Sequence, residues 1–228
     1  MRRLVTRELM DDDDTVGSLE EWRATLADLA RVNRFLGGWS ALRTAVDRLP
    51  AAPRRFLDVG TGDGYMALRL LDYLRRRGTR ATCVALDHSE RILRIARERV
   101  GTRADVELAL GDARSLSFPD GAFDLAMLNL SLHHFEPGEA VQVLRELARV
   151  ARAVIVNDLR RSRIAWAFAR VFFPLLTKSR FTRHDGPVSV LRSYLPVEAN
   201  ALARTAGWGR IEIRKHRGYR MTIAGGAA

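Results

Sequence analysis

Acidic side chains stand at the ends of three apolar runs in the first half of the chain, namely Asp58, Asp87 and Asp112. The carboxyl ends of parallel strands meet at one edge of an open α/β sheet, where ligands bind. An ionised carboxylate at that edge attracts an ammonium or sulfonium group, whereas it repels a phosphate. Asp87 can also accept hydrogen bonds from both hydroxyls of a ribose.

A glycine-rich turn follows the first of these runs. The stretch Phe56–Gly64 reads F-L-D-V-G-T-G-D-G, an apolar run followed by glycines at every second position. Glycine adopts left-handed dihedrals without strain and lets a ligand approach the main chain. A strand, a glycine turn and a helix start together form a nucleotide-type binding corner. The spacing G-x-G-x-G differs from the G-x-G-x-x-G of dinucleotide sites, and Asp63 inside the turn disfavours a pyrophosphate.

This stretch resembles motif I of the class I S-adenosylmethionine-dependent methyltransferases. The resemblance covers about residues 50–225 and is most specific within 56–129. It implies S-adenosyl-L-methionine as cofactor. In that family an acid after strand three accepts from the adenine amino group, and the end of strand four faces the reacting methyl group. The cofactor-binding residues that the resemblance implies here are Asp58, Gly60, Thr61, Gly62, Asp87, His88, Asp112, Ala113 and Asn129.

Turn chemistry offers another interpretation of each acid taken alone. Asp58 could pair with a neighbouring backbone amide, Asp87 could mark a helix entry, and Asp112 could be a turn residue. All three occur at predicted strand ends, in the order and at the separations that the resemblance requires. This joint placement favours the cofactor site.

Alternating strands and helices must position these residues. We predict an α/β fold, a Rossmann-like seven-stranded mostly parallel sheet with helices on both faces and a C-terminal antiparallel hairpin. Beyond the strand at Phe56, the predicted strands are 81–86, 106–110, 123–129, 153–158, 210–215 and 219–223. The predicted helices of this region are 65–77, 90–100, 139–150 and 196–206.

We expect the chain to divide into an N-terminal helical extension, residues 1–52, and, as the resemblance implies, a methyltransferase domain, residues 53–228. Helical spacing predicts helices over 19–36 and 39–49, which either cover the cofactor as a lid or only complete the core. The acidic run Asp11–Asp14 is expected to be solvated. The domain carries an insertion over residues 160–195.

The insertion opens with a segment dense in large apolar residues, Ile164–Leu176. It is too short to span a membrane and is interrupted by Arg170 and Pro174. Three roles compete: a core helix, which we favour first, a lid over a lipophilic substrate, or a shallow membrane contact. The stretch Phe181–Tyr194 then reads as a polar loop with a His-Asp pair, and it resembles the substrate loop of small bacterial methyltransferases.

Methyl transfer from a sulfonium is an in-line displacement in which positioning supplies much of the acceleration. A base is needed only where the acceptor must lose a proton, and imidazole titrates near neutral pH. The candidate catalytic bases are therefore His133, His134 and His184. The His-His pair also resembles a common family feature and could be structural. No carboxylate immediately follows strand four, so the sequence predicts no metal site of the catechol-methyltransferase kind.

The residues directly after strand four narrow the class of acceptor. Asn129-Leu130-Ser131-Leu132 lacks the Asn-Pro-Pro-Tyr or Asp-Pro-Pro-Tyr of enzymes that methylate DNA bases or glutamine. We expect a small acceptor, aromatic or lipophilic, methylated on oxygen or carbon. The alternatives are a cofactor-binding relative without catalysis that acts as a pathway partner, and, less favoured, an RNA methyltransferase. The sequence does not give the oligomeric state.

Composition agrees with one domain and a full core, since 47% of the 228 residues are hydrophobic. The net charge is +11, and of 38 basic residues only Lys178 and Lys215 are lysines. Scattered arginines without interleaved aromatic residues indicate solvated helix faces rather than a nucleic-acid module. The single cysteine, Cys83, lies in a predicted buried strand, and the start of the chain shows no signal-peptide-like segment. Both features predict a cytoplasmic protein.

Overall fold

The computed structural model describes residues 2–11 and 17–227. Its strands are β1 (Arg55–Val59), β2 (Thr82–Asp87), β3 (Val106–Leu110), β4 (Phe123–Asn129), β5 (Ala151–Leu159), β6 (Trp208–His216) and β7 (Arg220–Ala227). Its helices are α1 (Leu19–Phe35), α2 (Gly38–Val46), α3 (Tyr65–Arg76), α4 (Glu90–Val100), α5 (Pro137–Val150), α6 (Arg163–Leu176), α7 (Arg180–Arg192) and α8 (Pro196–Thr205).

All seven strands form one sheet in the order β3-β2-β1-β4-β5-β7-β6. Strands β1 to β5 pair in parallel, whereas β7 is antiparallel to both of its neighbours. The strand order reverses beside β1, whose Val59 pairs with Leu86 on one side and Leu128 on the other. The predicted fold class is confirmed, and the carboxyl ends of β1, β2 and β4 open at the switch point where such sheets bind ligands.

Two apolar layers hold the sheet, one on each face. Helices α2 and α3 pack on one face, and α5 and α8 pack on the other. The first layer depends on local sequence: α3 buries an apolar stripe repeating at three- and four-residue intervals, ending in Leu70, Leu71 and Leu74. Cys83 lies within this layer and is buried, as predicted.

The predicted core helix over Ile164–Leu176 forms as α6, but the expectation that it is buried is wrong. Only Ala165 and Ala169 of α6 are buried. Its large side chains point outward, and Leu175 is 76% exposed. Helical periodicity shows that a segment has an apolar face, but it does not show whether another element covers that face. Among the helices in the described ranges, none combines the length and apolarity needed to cross a bilayer.

The predicted polar loop over Phe181–Tyr194 is also wrong, because most of it forms helix α7. Ser179 caps α7 by accepting a hydrogen bond from the backbone N–H of Thr182. Glycine and proline inside the segment normally indicate a break. Here Gly186 lies directly against the ring of Phe173 on α6, where a side chain would overlap the ring. Close packing between two helices thus explains a glycine that local rules assign to a loop.

The N-terminal segment, residues 2–11, lies across the domain instead of extending into solvent. Arg3 donates hydrogen bonds to the backbone carbonyls of Arg192 and Phe135 at 2.7 and 2.8 Å. The backbone of Leu4 donates to the carbonyl of Leu191 at 3.1 Å. Asp11 is half-buried and paired, so the predicted solvated patch is wrong for this residue, while Asp12–Asp14 lie outside the described residues.

Candidate functional site

A cavity of about 780 Å³ opens at the carboxyl edge of β1, β2 and β4. The N-terminal segment and α1 form its outer wall through Val5, Met10, Leu26 and Leu29. The cavity therefore combines polar strand ends on one side with apolar side chains on the other. Of the residues that the sequence singled out, those that line it are Asp58, Gly60, Thr61, Gly62, Asp87, His88, Asp112, Ala113, Asn129 and His134.

The glycine turn after β1 brings main chain to the cavity wall. Gly60 and Gly62 adopt φ values of 63° and 60°, which glycine tolerates and side-chain-bearing residues rarely adopt. A Cβ at Gly60 would lie 2.7 Å from the Ser131 hydroxyl oxygen. The turn is tied to β2, because the N–H of Thr61 donates to the carbonyl of Leu86 at 3.0 Å. The fold therefore requires glycine at position 60, because of its backbone conformation and because a side chain would overlap Ser131.

Asp58 supports this turn from beneath. Its carboxylate accepts hydrogen bonds from the hydroxyl of Thr61 at 2.8 Å and from the amide of Asn129 at 3.3 Å. Burial raises the pKa of Asp58 to about 7, against the lowering effect of these two hydrogen bonds. The nearby carboxylates of Asp87 and Asp63 add to the rise in this pKa. A direct contact between Asp58 and the cofactor stays a prediction.

The raised pKa of Asp58 predicts a pH-dependent stability. Between pH 3.8 and about 7 the folded protein retains a proton on Asp58 that the unfolded chain has lost. The free energy of unfolding therefore falls as pH rises, by about 1.4 kcal/mol per unit from this group. We expect Asp58→Asn to remove this pH dependence. Between pH 5 and pH 7, the free energy of unfolding measured in urea should then fall by about 2 kcal/mol less in the variant than in the wild type.

Asp120→Asn is the matched control, because Asp120 is 81% exposed and lies far from the turn in an ion pair with Arg149. Its two titrations should follow those of the wild type. A wild-type protein and an Asp58→Asn variant that lose equal stability between the two pH values would contradict the assignment of a buried protonated carboxyl.

The second predicted acid, Asp87, is buried and holds two backbone groups. Its carboxylate accepts from the N–H of Gly62 at 3.0 Å and from the N–H of Ser89 at 3.3 Å. It therefore connects the glycine turn to the start of α4. His88 beside it has a side chain that is 65% exposed. The side chain of Asp112 is 45% exposed, and its hydrogen bonds to Arg114 hold its pKa below the usual range.

The two histidines after β4 have different surroundings. His133 is buried, and its Nδ1 lies 2.7 Å from a carboxylate oxygen of Asp158. His134 lines the cavity, and its Nδ1 lies 2.6 Å from an Asp11 oxygen. Burial would lower the pKa of His134, but the carboxylates of Glu8 and Asp11 outweigh it and raise this pKa to about 9. His134 is therefore an imidazolium at neutral pH.

His184, the third predicted base, stands apart from the cavity lining. Its side chain is 48% exposed, and its Nδ1 lies 2.7 Å from Asp185. The Asp185 carboxylate also accepts from the backbone N–H groups of Leu9 and Met10 at 2.8 and 3.1 Å. The His-Asp pair read from the sequence thus anchors the N-terminal segment, and a catalytic role for His184 or His133 stays a prediction.

Glu8, His133 and His134 are close enough to hold a metal ion, with ligand atoms within 4.8 Å of one another. A buried arginine already supplies positive charge there. The guanidinium of Arg192 pairs with Asp11 and lies 3.9 Å from Glu8. A permanent cation at this distance opposes a second one. We therefore interpret the group as an ion-pair network, one that local sequence could not reveal because Glu8 and His133 are far apart in the chain.

The cavity suits a nucleoside that carries a positive charge. Its volume lies within the range of small-molecule sites, which are mostly apolar with a few placed polar groups. The turn at Gly60 presents main chain without a Cβ, and the carboxylate of Asp87 is buried beside it, while that of Asp63 is paired with Arg99 at 2.7 Å. A buried carboxylate at this edge favours a sulfonium or ammonium over a phosphate.

The chain has recognisable relatives over much of this region. Residues 56–153 match a family profile described as "Methyltransferase domain". The demethylmenaquinone methyltransferase of Thermus thermophilus is 38% identical over 133 residues, covering 55% of this chain and 59% of that protein. A malonyl-[acyl-carrier protein] O-methyltransferase of Legionella pneumophila is 35% identical over 123 residues, covering 54% of this chain and 40% of that protein. The chain thus spans between about two fifths and three fifths of these relatives.

Solved structures extend the likeness to nearly the whole chain. Human N-acetylserotonin methyltransferase in complex with S-adenosylmethionine matches with a TM-score of 0.67 over 97% of this chain and 63% of that one, at 13% identity. At that identity the match shows a shared fold. The profile match identifies residues 56–153 as a methyltransferase domain, and the fold around them is one that a solved methyltransferase shares.

Proposed function

We propose that this protein transfers the methyl group of S-adenosylmethionine to a small lipophilic acceptor, on oxygen or carbon. The observation that carries the proposal is the composition of the cavity. One cavity is lined by every predicted cofactor residue, the imidazole of His134 and an apolar wall that includes Met10 and Leu29. The Thermus relative is named for demethylmenaquinone, a lipophilic acceptor, which supports this class of substrate for the chain.

The residues of the chain have separable tasks in this proposal. The bound cofactor supplies an electrophilic methyl carbon. Asp58 and Asp87 hold the glycine turn in position through Thr61 and Gly62, so that the cofactor meets fixed backbone groups. The wall formed by the N-terminal segment and α1 excludes water from the cavity. His134 can donate a hydrogen bond to an acceptor oxygen that carries negative charge.

Two measurements test the proposal. Calorimetry should show S-adenosylmethionine and S-adenosylhomocysteine binding to the wild type, with affinity reduced at least about tenfold in Asp87→Asn, which removes a buried charge. Mass spectrometry should then detect a methylated product among hydroquinones and phenols with alkyl chains. Malonyl thioesters should be tested in parallel as acceptors, because the Legionella relative is named for a malonyl thioester.

The outcomes separate the alternatives. Cofactor binding without turnover on any acceptor would favour a pathway partner without catalysis. Methylation of RNA that falls steeply with added salt would favour the RNA methyltransferase. Absence of cofactor binding would overturn the proposal. We place the reaction in the cytoplasm, since a buried, unpaired Cys83 suits a reducing compartment.

A further inference from the structure

Helix α6 carries a continuous apolar surface that the described part of the chain leaves uncovered. At 100° per residue, six of its large side chains fall within an arc of about 140°. They are between 39% and 76% exposed. This outer face of α6 consists of Ile164, Phe168, Val171, Phe172, Leu175 and Leu176. A helix of a water-exposed domain normally turns such a stripe inward.

The inward side of α6 is already occupied. Ala165 and Ala169 pack with Val190 of α7 in a small apolar cluster that also includes Phe173. Phe173 lies directly against Gly186, so α6 and α7 meet closely on that side. The outer face therefore cannot be buried by rotating α6 without losing this packing. Its exposure follows from the fold.

The segment of chain that contains the outer face is rich in basic residues. Residues 159–184 contain seven basic residues and no acidic one. Of these, Arg163 and Arg170 are exposed on α6 itself, and Lys178 is exposed directly after it. Long basic side chains can keep their charge at a lipid headgroup while their stems lie along apolar surface. Apolar residues bordered by arginine and lysine are typical of helices that lie in the plane of an anionic membrane surface.

We propose that the outer face of α6 binds the surface of a bilayer that contains anionic lipids. The helix has 14 residues and is about 21 Å long, which suits an interfacial position. A second copy of the chain is a poorer occupant, because apposed faces would bring the exposed Arg163, Arg170 and Lys178 of both copies together. An acceptor inside the cavity is also a poorer occupant, because no residue of α6 lines the cavity.

The test is flotation of the full chain with vesicles of phosphatidylcholine, with and without phosphatidylglycerol. We expect binding to the anionic vesicles that weakens at high salt. Leu175→Asp should reduce this binding by about tenfold or more, because the variant loses the burial of a large apolar side chain and adds a negative charge. Arg170→Glu should reduce it by about fivefold or more, since each basic residue near the surface contributes about 1 kcal/mol.

The chain offers matched controls on other helices. Val197 on α8 is 72% exposed, close to the 76% of Leu175, so Val197→Asp tests loss of an exposed apolar residue in general. Arg76→Glu on α3 makes the same charge change as Arg170→Glu at another exposed site. Both controls should bind anionic vesicles as the wild type does.

Absence of vesicle binding by the folded wild type would overturn the proposal. Equal loss of binding in Leu175→Asp and Val197→Asp would also overturn it. A concentration-dependent dimer that Leu175→Asp abolishes, without vesicle binding, would assign the face to a second copy instead. These assays contain neither cofactor nor acceptor, so their result is independent of the proposed methyl transfer.

Discussion

Gly60→Ala is expected to lower the affinity for S-adenosylhomocysteine at least about tenfold, equivalent to ~1.4 kcal/mol. The substitution introduces two costs. A side chain at φ 63° disfavours the left-handed conformation by about 1–2 kcal/mol. In addition, its methyl group would lie 2.7 Å from the hydroxyl oxygen of Ser131, which must then move. Gly60 and Ser131 both line the cavity, so the adjustment changes the surface that meets the cofactor.

Gly121→Ala separates these two costs. Gly121 has a φ of 64°, but nothing lies within 4 Å of the position where its Cβ would be placed. Gly121→Ala should therefore lose only the stability that the left-handed conformation costs, whereas Gly60→Ala should lose more because Ser131 must also move. Only Gly60→Ala should lose affinity in calorimetry. Equal affinities in the two variants would show that the turn after β1 does not contact the cofactor. This outcome would contradict the assignment of the cofactor site, because the glycine turn is its most specific motif.

The glycine turn could be predicted because its determinants are local. A strand, its terminal acid and the turn are adjacent in sequence, and parallel strands bring their carboxyl ends together whatever the loops do. Asp58, Asp87 and Asp112 therefore reach one cavity as predicted. The pattern did not show that Asp58 and Asp87 both bind the turn itself, which makes them part of its support.

The acidic surroundings of His134 could not be predicted, because they come from residues distant in the chain. Asp11 lies 123 positions before His134, and a half-buried pair between them requires the N-terminal segment to fold back over the domain. No local sequence pattern predicts where the N-terminal segment packs. The prediction that α6 is buried failed for a related reason. The apolar periodicity of a helix is identical whether protein or lipid covers its apolar face. Sequence pattern describes a face, whereas tertiary contacts decide its partner.

His134→Gln is expected to reduce kcat on the true acceptor by about 100-fold, with little change in cofactor affinity. Loss of one placed donor to a developing or existing anion typically costs that much. His134 is suited to this task because it lines the cavity and its pKa is about 9. As an imidazolium it directs Nδ1–H to Asp11. Its Nε2 lies 3.9 Å from Glu8, too far for a hydrogen bond, and we expect this nitrogen to donate to an acceptor oxygen.

The pH dependence distinguishes this donor from the base that the sequence predicted. A donor acts while protonated, so kcat of the wild type should decline as pH rises through about 9. A base acts once deprotonated, so kcat would instead rise over the same interval. His184→Gln is the matched control, because His184 has the same Nδ1 contact to an aspartate, at 2.7 Å, away from the cavity. It should retain both the rate and the decline, whereas His134→Gln should lose the decline. Equal rates in the two variants would remove His134 from the reaction and return the question of the base to His133.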